Sequence, residues 1–183
     1  GAGAPAPGAT PSVAPVPPAV TAGGAPAASA AVFRLSGGID PDHRAAVAAK
    51  AAAAGNRLAI SGDPITFEFV PGPGAPGSGL LVMKPPTVTF DWTYGYSTGM
   101  VDRLSATCSL KDGGYSVLSP GDPVAMIGGW GGVLVCDVTN LRDGRPMPGA
   151  GRRDVPLMIE YDRGRRAWKV IAVGLQDAVW RLQ

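Results

Sequence analysis

Few residues in this chain offer chemistry that can be weighed from sequence alone: two cysteines, one histidine and a scatter of carboxylates. Cys108 lies in Leu104-Ser-Ala-Thr-Cys-Ser-Leu110 and Cys136 in Gly132-Val-Leu-Val-Cys-Asp-Val138, both with the alternation of a β-strand. A structural zinc takes four ligands, and two cysteines with one histidine fall short of that. A nucleophilic thiol needs a base beside it, and His43 belongs to a different segment. A disulfide between Cys108 and Cys136 is therefore the expected state, with two buried free thiols or one reactive thiol as the alternatives. Such a bridge would stabilise the fold by about 3–4 kcal/mol through the entropy of the closed loop, and it would place the chain outside a reducing cytosol.

His43 falls in the first turn of an expected helix, where a capping or exposed surface role is anticipated. The carboxylates Asp91, Asp102, Asp137, Glu160 and Asp162 are spread along the chain. A glycosidase-type pair would have to come from the fold, because sequence cannot show which carboxylates meet. Asp137 and Glu160 sit on the polar side of alternating strands. Gly128-Gly-Trp-Gly-Gly132 has the glycines of a phosphate cradle but lacks the Lys-Ser/Thr and the helix that such a loop needs. It reads as a flexible turn presenting Trp130, either as a lid on the core or as an exposed contact. Trp92, Tyr94 and Tyr96 recur at every second residue and so share one face of a strand. Core packing is the expectation for them, and a platform for a peptide or sugar ring is the sharper alternative. Together with Trp130 they are the possible partner contacts. No catalytic residue, metal ligand or cofactor site is assigned.

These residues need elements to position them. Asp40, Pro41 and Asp42 form a helix start, as N-cap, first-turn proline and first-turn acid. Ala45–Ala54 continues it in good helix formers, and Gly55 or Asn56 stops it. A thin stripe of Val47, Ala51, Ala54 and Leu58 is expected to lie on a sheet. Strands are expected over Phe33–Gly38, Ile65–Val70, Leu80–Met83, Thr87–Tyr96, around Cys108, Val124–Ile127 and Val133–Asn140. Val155–Tyr161 and Ala167–Val173 form the clearest hairpin. Lys111-Asp-Gly-Gly114 reads as a hairpin turn, Ser119–Pro123 and Arg142–Pro146 as further turns, and Pro71–Gly79 as a loop. The tail from Leu175 to Gln183 suits a helix or an edge strand.

The fold class is mainly β: a single β-sandwich or β-barrel-like domain over residues 32–183, with one short Ala-rich helix. Residues 1–31 differ in kind. They hold no charged or aromatic side chain, and 24 of the 31 are Ala, Gly or Pro. Such a segment cannot bury enough surface to offset the entropy of ordering it, so a disordered tether is expected.

Lys and Arg total 16 against 14 Asp and Glu, a net charge of only +2. The excess is concentrated between Arg142 and Lys169, with eight basic residues against four acidic ones. That could favour an anionic surface, although a solvated rim of turns explains it as well. No aromatic-and-arginine ladder of the single-strand-binding kind is present, which argues against a nucleic-acid partner. No run of about 20 apolar residues offers a membrane span. The small-residue start suits a mature form left after cleavage of a signal peptide, with a lipid-bearing residue conceivable just upstream. The expectation is a noncatalytic exported or cell-envelope protein, an accessory subunit that binds a protein partner or an envelope assembly. Membrane-surface association would come through the tether, and no small-molecule substrate is identified. The alternatives are a structural subunit of a virion or appendage, and a small hydrolase or ligand carrier.

Overall fold

The structure, a computed structural model, describes residues 33–72, 78–117 and 129–183. The expected arm over residues 1–31 lies outside these residues, as do the strand over 124–127, the turn over 119–123 and most of the loop over 71–79. Twelve strands and one helix are present among the described residues. In chain order they are β1 (Phe33–Ile39), α1 (Pro41–Ala53), β2 (Arg57–Gly62), β3 (Ile65–Pro71), β4 (Ser78–Lys84), β5 (Val88–Gly95) and β6 (Val101–Leu110). Then follow β7 (Gly114–Val117), β8 (Gly129–Arg142), β9 (Arg145–Pro146), β10 (Gly151–Asp162), β11 (Ala167–Ala172) and β12 (Val179–Leu182).

The expected β-rich class is present, in its barrel form. Eight strands close an antiparallel ring in the order β10, β11, β12, β1, β3, β4, β7, β8, and the seam is the long β8–β10 pairing. A barrel of this strand number has an interior about wide enough for its own side chains. Phe67, Phe69, Leu81, Trp130, Ile159, Val170 and Leu182 fill it, each almost wholly buried. Burying one such side chain contributes about 1.5–3 kcal/mol.

A side sheet branches from the barrel at β8. One edge of β8 follows β10. The other edge pairs first with β7, at Gly131↔Ser116, and then with β6, from Leu134↔Leu110 to Arg142↔Asp102. Strands β5 and β2 extend the sheet beyond β6. Lys111–Gly113 is thus not the hairpin turn expected from its sequence, because β6 and β7 do not pair with each other. They run on in the same direction along β8, and the extra residues between them form a bulge at which the sheet forks. Positive φ at Asp112 (66°) and Gly113 (69°) is what the turn chemistry had signalled.

Other expectations are corrected in the same way. Gly129–Gly132 is the start of β8 and not a break before it. Leu58 belongs to β2 and Ala54 is exposed, so the helix stripe narrows to Val47 and Ala51. Asp40 caps α1 as expected, accepting from the Asp42 and His43 amides, and Gly55 ends it with φ +81°. The tail forms β12, which is no edge: β11 and β1 flank it and close the barrel. Gly37 makes that closure possible, since any β-carbon there would run into the Arg181 carbonyl across β1 and β12. The hairpin of β10 and β11 stands as read, with Leu157↔Ala172, Ile159↔Val170 and Tyr161↔Trp168 as facing pairs.

Candidate functional site

The side sheet has two unlike faces. Its outer face carries Thr89, Asp91, Arg103, Thr107, Asp137 and Thr139, all exposed. Its inner face begins with Val88, Phe90, Leu104, Ala106, Cys108, Cys136 and Val138, which join the barrel core. Cys108 and Cys136 face each other in register between β6 and β8, with Cα atoms 4.1 Å apart, and are joined as a disulfide. The expected bridge is present.

Further along the same face the barrel falls away, and alternation brings out Trp92, Tyr94 and Tyr96, all half-buried. The rings form a row: Trp92 and Tyr94 are stacked at 5.7 Å between centroids, and Tyr94 and Tyr96 meet at 4.9 Å. Each polar atom of the row is tied to a neighbouring element. The Asn56 amide donates to the Tyr94 hydroxyl at 2.9 Å, and Asn56 Oδ1 accepts from the Ser97 amide. The Tyr96 hydroxyl donates to Asp102 Oδ2 at 2.7 Å. Arg142 holds the same carboxylate from two nitrogens, Nε at 2.7 Å and Nη2 at 2.8 Å, while its guanidinium carbon lies 5.9 Å from the Tyr96 ring centre. This fork-to-fork geometry combines charge with direction.

The electrostatics follow from those contacts. The Arg142 hydrogen bonds, helped by Tyr96, hold the Asp102 carboxyl below the usual carboxylate range. Asp102 in turn raises the Tyr96 phenol and the Arg142 guanidinium, because both are protonated donors to its negative charge. Tyr96 therefore presents a neutral ring on a locked axis.

The other end of the row is fixed by Asp177, in the turn between β11 and β12. One of its oxygens accepts from the Trp92 indole at 2.9 Å, and the other lies 3.2 Å from His43 Nε2. His43 thus meets a carboxylate after all, and the pair ties α1 to the side sheet and to the barrel. A hydrolytic dyad needs a nucleophile next to the imidazole. Among the described residues the recorded side-chain partner of His43 is Asp177 alone.

The remaining expected site residues are dispersed. Trp130 is 1% exposed and packs between Phe69 (5.4 Å) and Tyr115 (5.1 Å), so it belongs to the barrel core and is not the exposed contact considered for it. Among the described residues its indole N–H and the Tyr115 hydroxyl, both buried, have no hydrogen-bond partner, and burial alone pushes the Tyr115 phenol up. Asp91 accepts from Ser105, Asp137 pairs with Arg152, Asp162 with Arg165, and Glu160 faces Lys169 across the ladder. No group of three or more potential metal ligands occurs among the described residues.

Within the basic stretch Arg142, Arg152 and Arg165 are paired with carboxylates. Arg165 and Arg181 both reach Asp40 and Asp42 at the start of α1. The hydrogen bond from Arg181 keeps Asp42 below its ordinary range. A shallow depression there is lined by Asp40, Arg165, Arg181 and Trp168.

The aromatic row was visible in the sequence as an alternation. Asn56, Asp177 and the Asp102–Arg142 fork were not, since their partners lie 38, 85 and 40 residues away. No family model matches this chain, and neither a curated protein nor a solved structure does.

Proposed function

We propose that this chain is a noncatalytic exported or cell-envelope protein, an accessory binding subunit whose Trp92–Tyr94–Tyr96 row contacts a protein partner. The observation that carries this reading is the anchoring of the row. Three large rings stay half-exposed while every polar atom on them is spent on an internal hydrogen bond. Aromatic side chains held rigid lose little entropy when a partner covers them, and rings of this kind supply most binding hot spots. The disulfide between β6 and β8 supports an oxidising compartment. The arm of residues 1–31 would provide reach from a membrane or within an assembly.

The ligand-carrier alternative has less support, because bulky side chains occupy the barrel interior. The hydrolase alternative rests on His43 and Asp177, yet Asp177 shares its second oxygen with Trp92 and so acts as an anchor.

The test is in-situ photo-crosslinking in the source organism, with a crosslinking residue at Tyr94, followed by identification of the adduct. A defined adduct with one envelope protein is expected, and it should be lost when Tyr96 is changed to Ser. Adducts with random abundant proteins, or none, would refute the reading.

A further inference from the structure

We propose that β2 is a dimerisation edge, on which a second copy of this chain adds its own β2 antiparallel to extend the side sheet across a two-fold axis. Strand β2 ends the sheet, paired with β5 on one side only. Its hydrogen-bond parity is fixed by one contact: the Asp63 amide donates to the Thr89 carbonyl at 3.0 Å, one step beyond the Gly62↔Phe90 pair. Bonded and non-bonded pairs alternate in an antiparallel ladder. Ser61, Ala59 and Arg57 therefore direct their main-chain groups at β5, whereas Gly62, Ile60 and Leu58 direct theirs to the side without a paired strand, where Ile60 as a whole is 6% exposed. No recorded hydrogen bond among the described residues reaches the Leu58 or Ile60 main chain from that side.

The side chains decide which occupant suits the edge. Exposed edges are usually protected by Lys, Pro or a bulge, and Arg57-Leu-Ala-Ile-Ser-Gly62 has only an arginine at its beginning. With the axis through Ile60, the two Ile60 residues exchange main-chain bonds, and Leu58 exchanges them with Gly62 of the second copy. That makes about six hydrogen bonds in an unbroken ladder. The same register sets Arg57 opposite the Asp63 of the second copy, twice; Oδ2 of that carboxylate accepts from the Thr89 amide and hydroxyl, so Oδ1 is the atom the guanidinium would meet. Arg57 is exposed and has no carboxylate partner among the described residues. Ala59 falls opposite Ser61, so no like charges meet.

Sedimentation velocity of the full chain over micromolar to sub-millimolar concentrations tests this. The wild type is expected to form a dimer that dissociates on dilution. In the A59E/S61E variant the glutamates oppose each other across the axis, and dissociation should rise about tenfold or more. Both side chains are exposed, and unchanged circular dichroism and melting would exclude misfolding. A second variant, A59C/S61C, should give a covalent dimer in air. A wild type that stays monomeric throughout overturns the proposal. So does a dimer that ignores the two glutamates, or one that fails to cross-link through the paired cysteines.

Discussion

The Trp92 indole donates to Asp177 Oδ2 at 2.9 Å, joining the middle of β5 to the turn that precedes β12. Because the other oxygen meets His43, this carboxylate is where the side sheet, the helix and the barrel are tied together. Asp177→Ala should cost about 2–3 kcal/mol, as it leaves a half-buried indole N–H unpaired and frees the first turn of α1. Urea unfolding gives the cost. Hydrogen exchange should show the α1 amides opening first, and uniform exchange across the chain would contradict the anchoring role.

The disulfide closes a loop spanning 28 residues, for which chain entropy gives about 3–4 kcal/mol. The double variant Cys108→Ala/Cys136→Ala, or full reduction, should lower the urea-derived stability by that amount. The structure around β6 and β8 should persist, since the two strands also share a nine-pair ladder from Asp102↔Arg142 to Leu110↔Leu134.

Acid should weaken the aromatic row. Asp102 is held below its unfolded value, so the stability it supplies is present above the ordinary carboxylate pKa of about 3.9 and is lost as pH falls through the lower folded value. The pH dependence of unfolding below about 4 should be shallower in Asp102→Asn. Tyr96 has the opposite sign. Its raised value stabilises the fold while the phenol stays protonated, and that contribution goes as pH climbs past it. Ultraviolet titration should find two tyrosines, Tyr96 and Tyr115, ionising late in the wild type, and only the Tyr96 step moving earlier in Asp102→Asn.

Tyr115→Phe removes a buried hydroxyl that has no hydrogen-bond partner among the described residues. The rings of Phe69 and Trp130 would keep their contacts. A gain of about 1–2 kcal/mol in thermal or urea unfolding is expected, against the loss typical of a core substitution. A loss would show that the hydroxyl has an acceptor in solution.

What the sequence reveals follows from the range of each signal. Alternation is local, so the strands of the hairpin Val155–Val173 and the shared face of Trp92, Tyr94 and Tyr96 are readable directly. The Asp40 cap is equally local. Strand β2 is not, because Arg57-Leu-Ala-Ile-Ser continues a helical stripe as readily as it begins a ladder. The turn chemistry of Lys111–Gly114 was genuine, yet a turn and a bulge use the same positive-φ residues. Only the partner strand, 20 residues further on, separates them. Trp130 shows the same limit: glycines on both sides signal freedom, and burial depends on a barrel that no local pattern announces.

Strand β8 has one further consequence. A single run of 14 residues gives one edge to the barrel seam and divides the other between barrel and side sheet. Neither part can be excised as an autonomous unit, because each would leave the other with half of its spine bare. Loss of either should bring down the whole, so the described body is expected to melt in a single step with no surviving half.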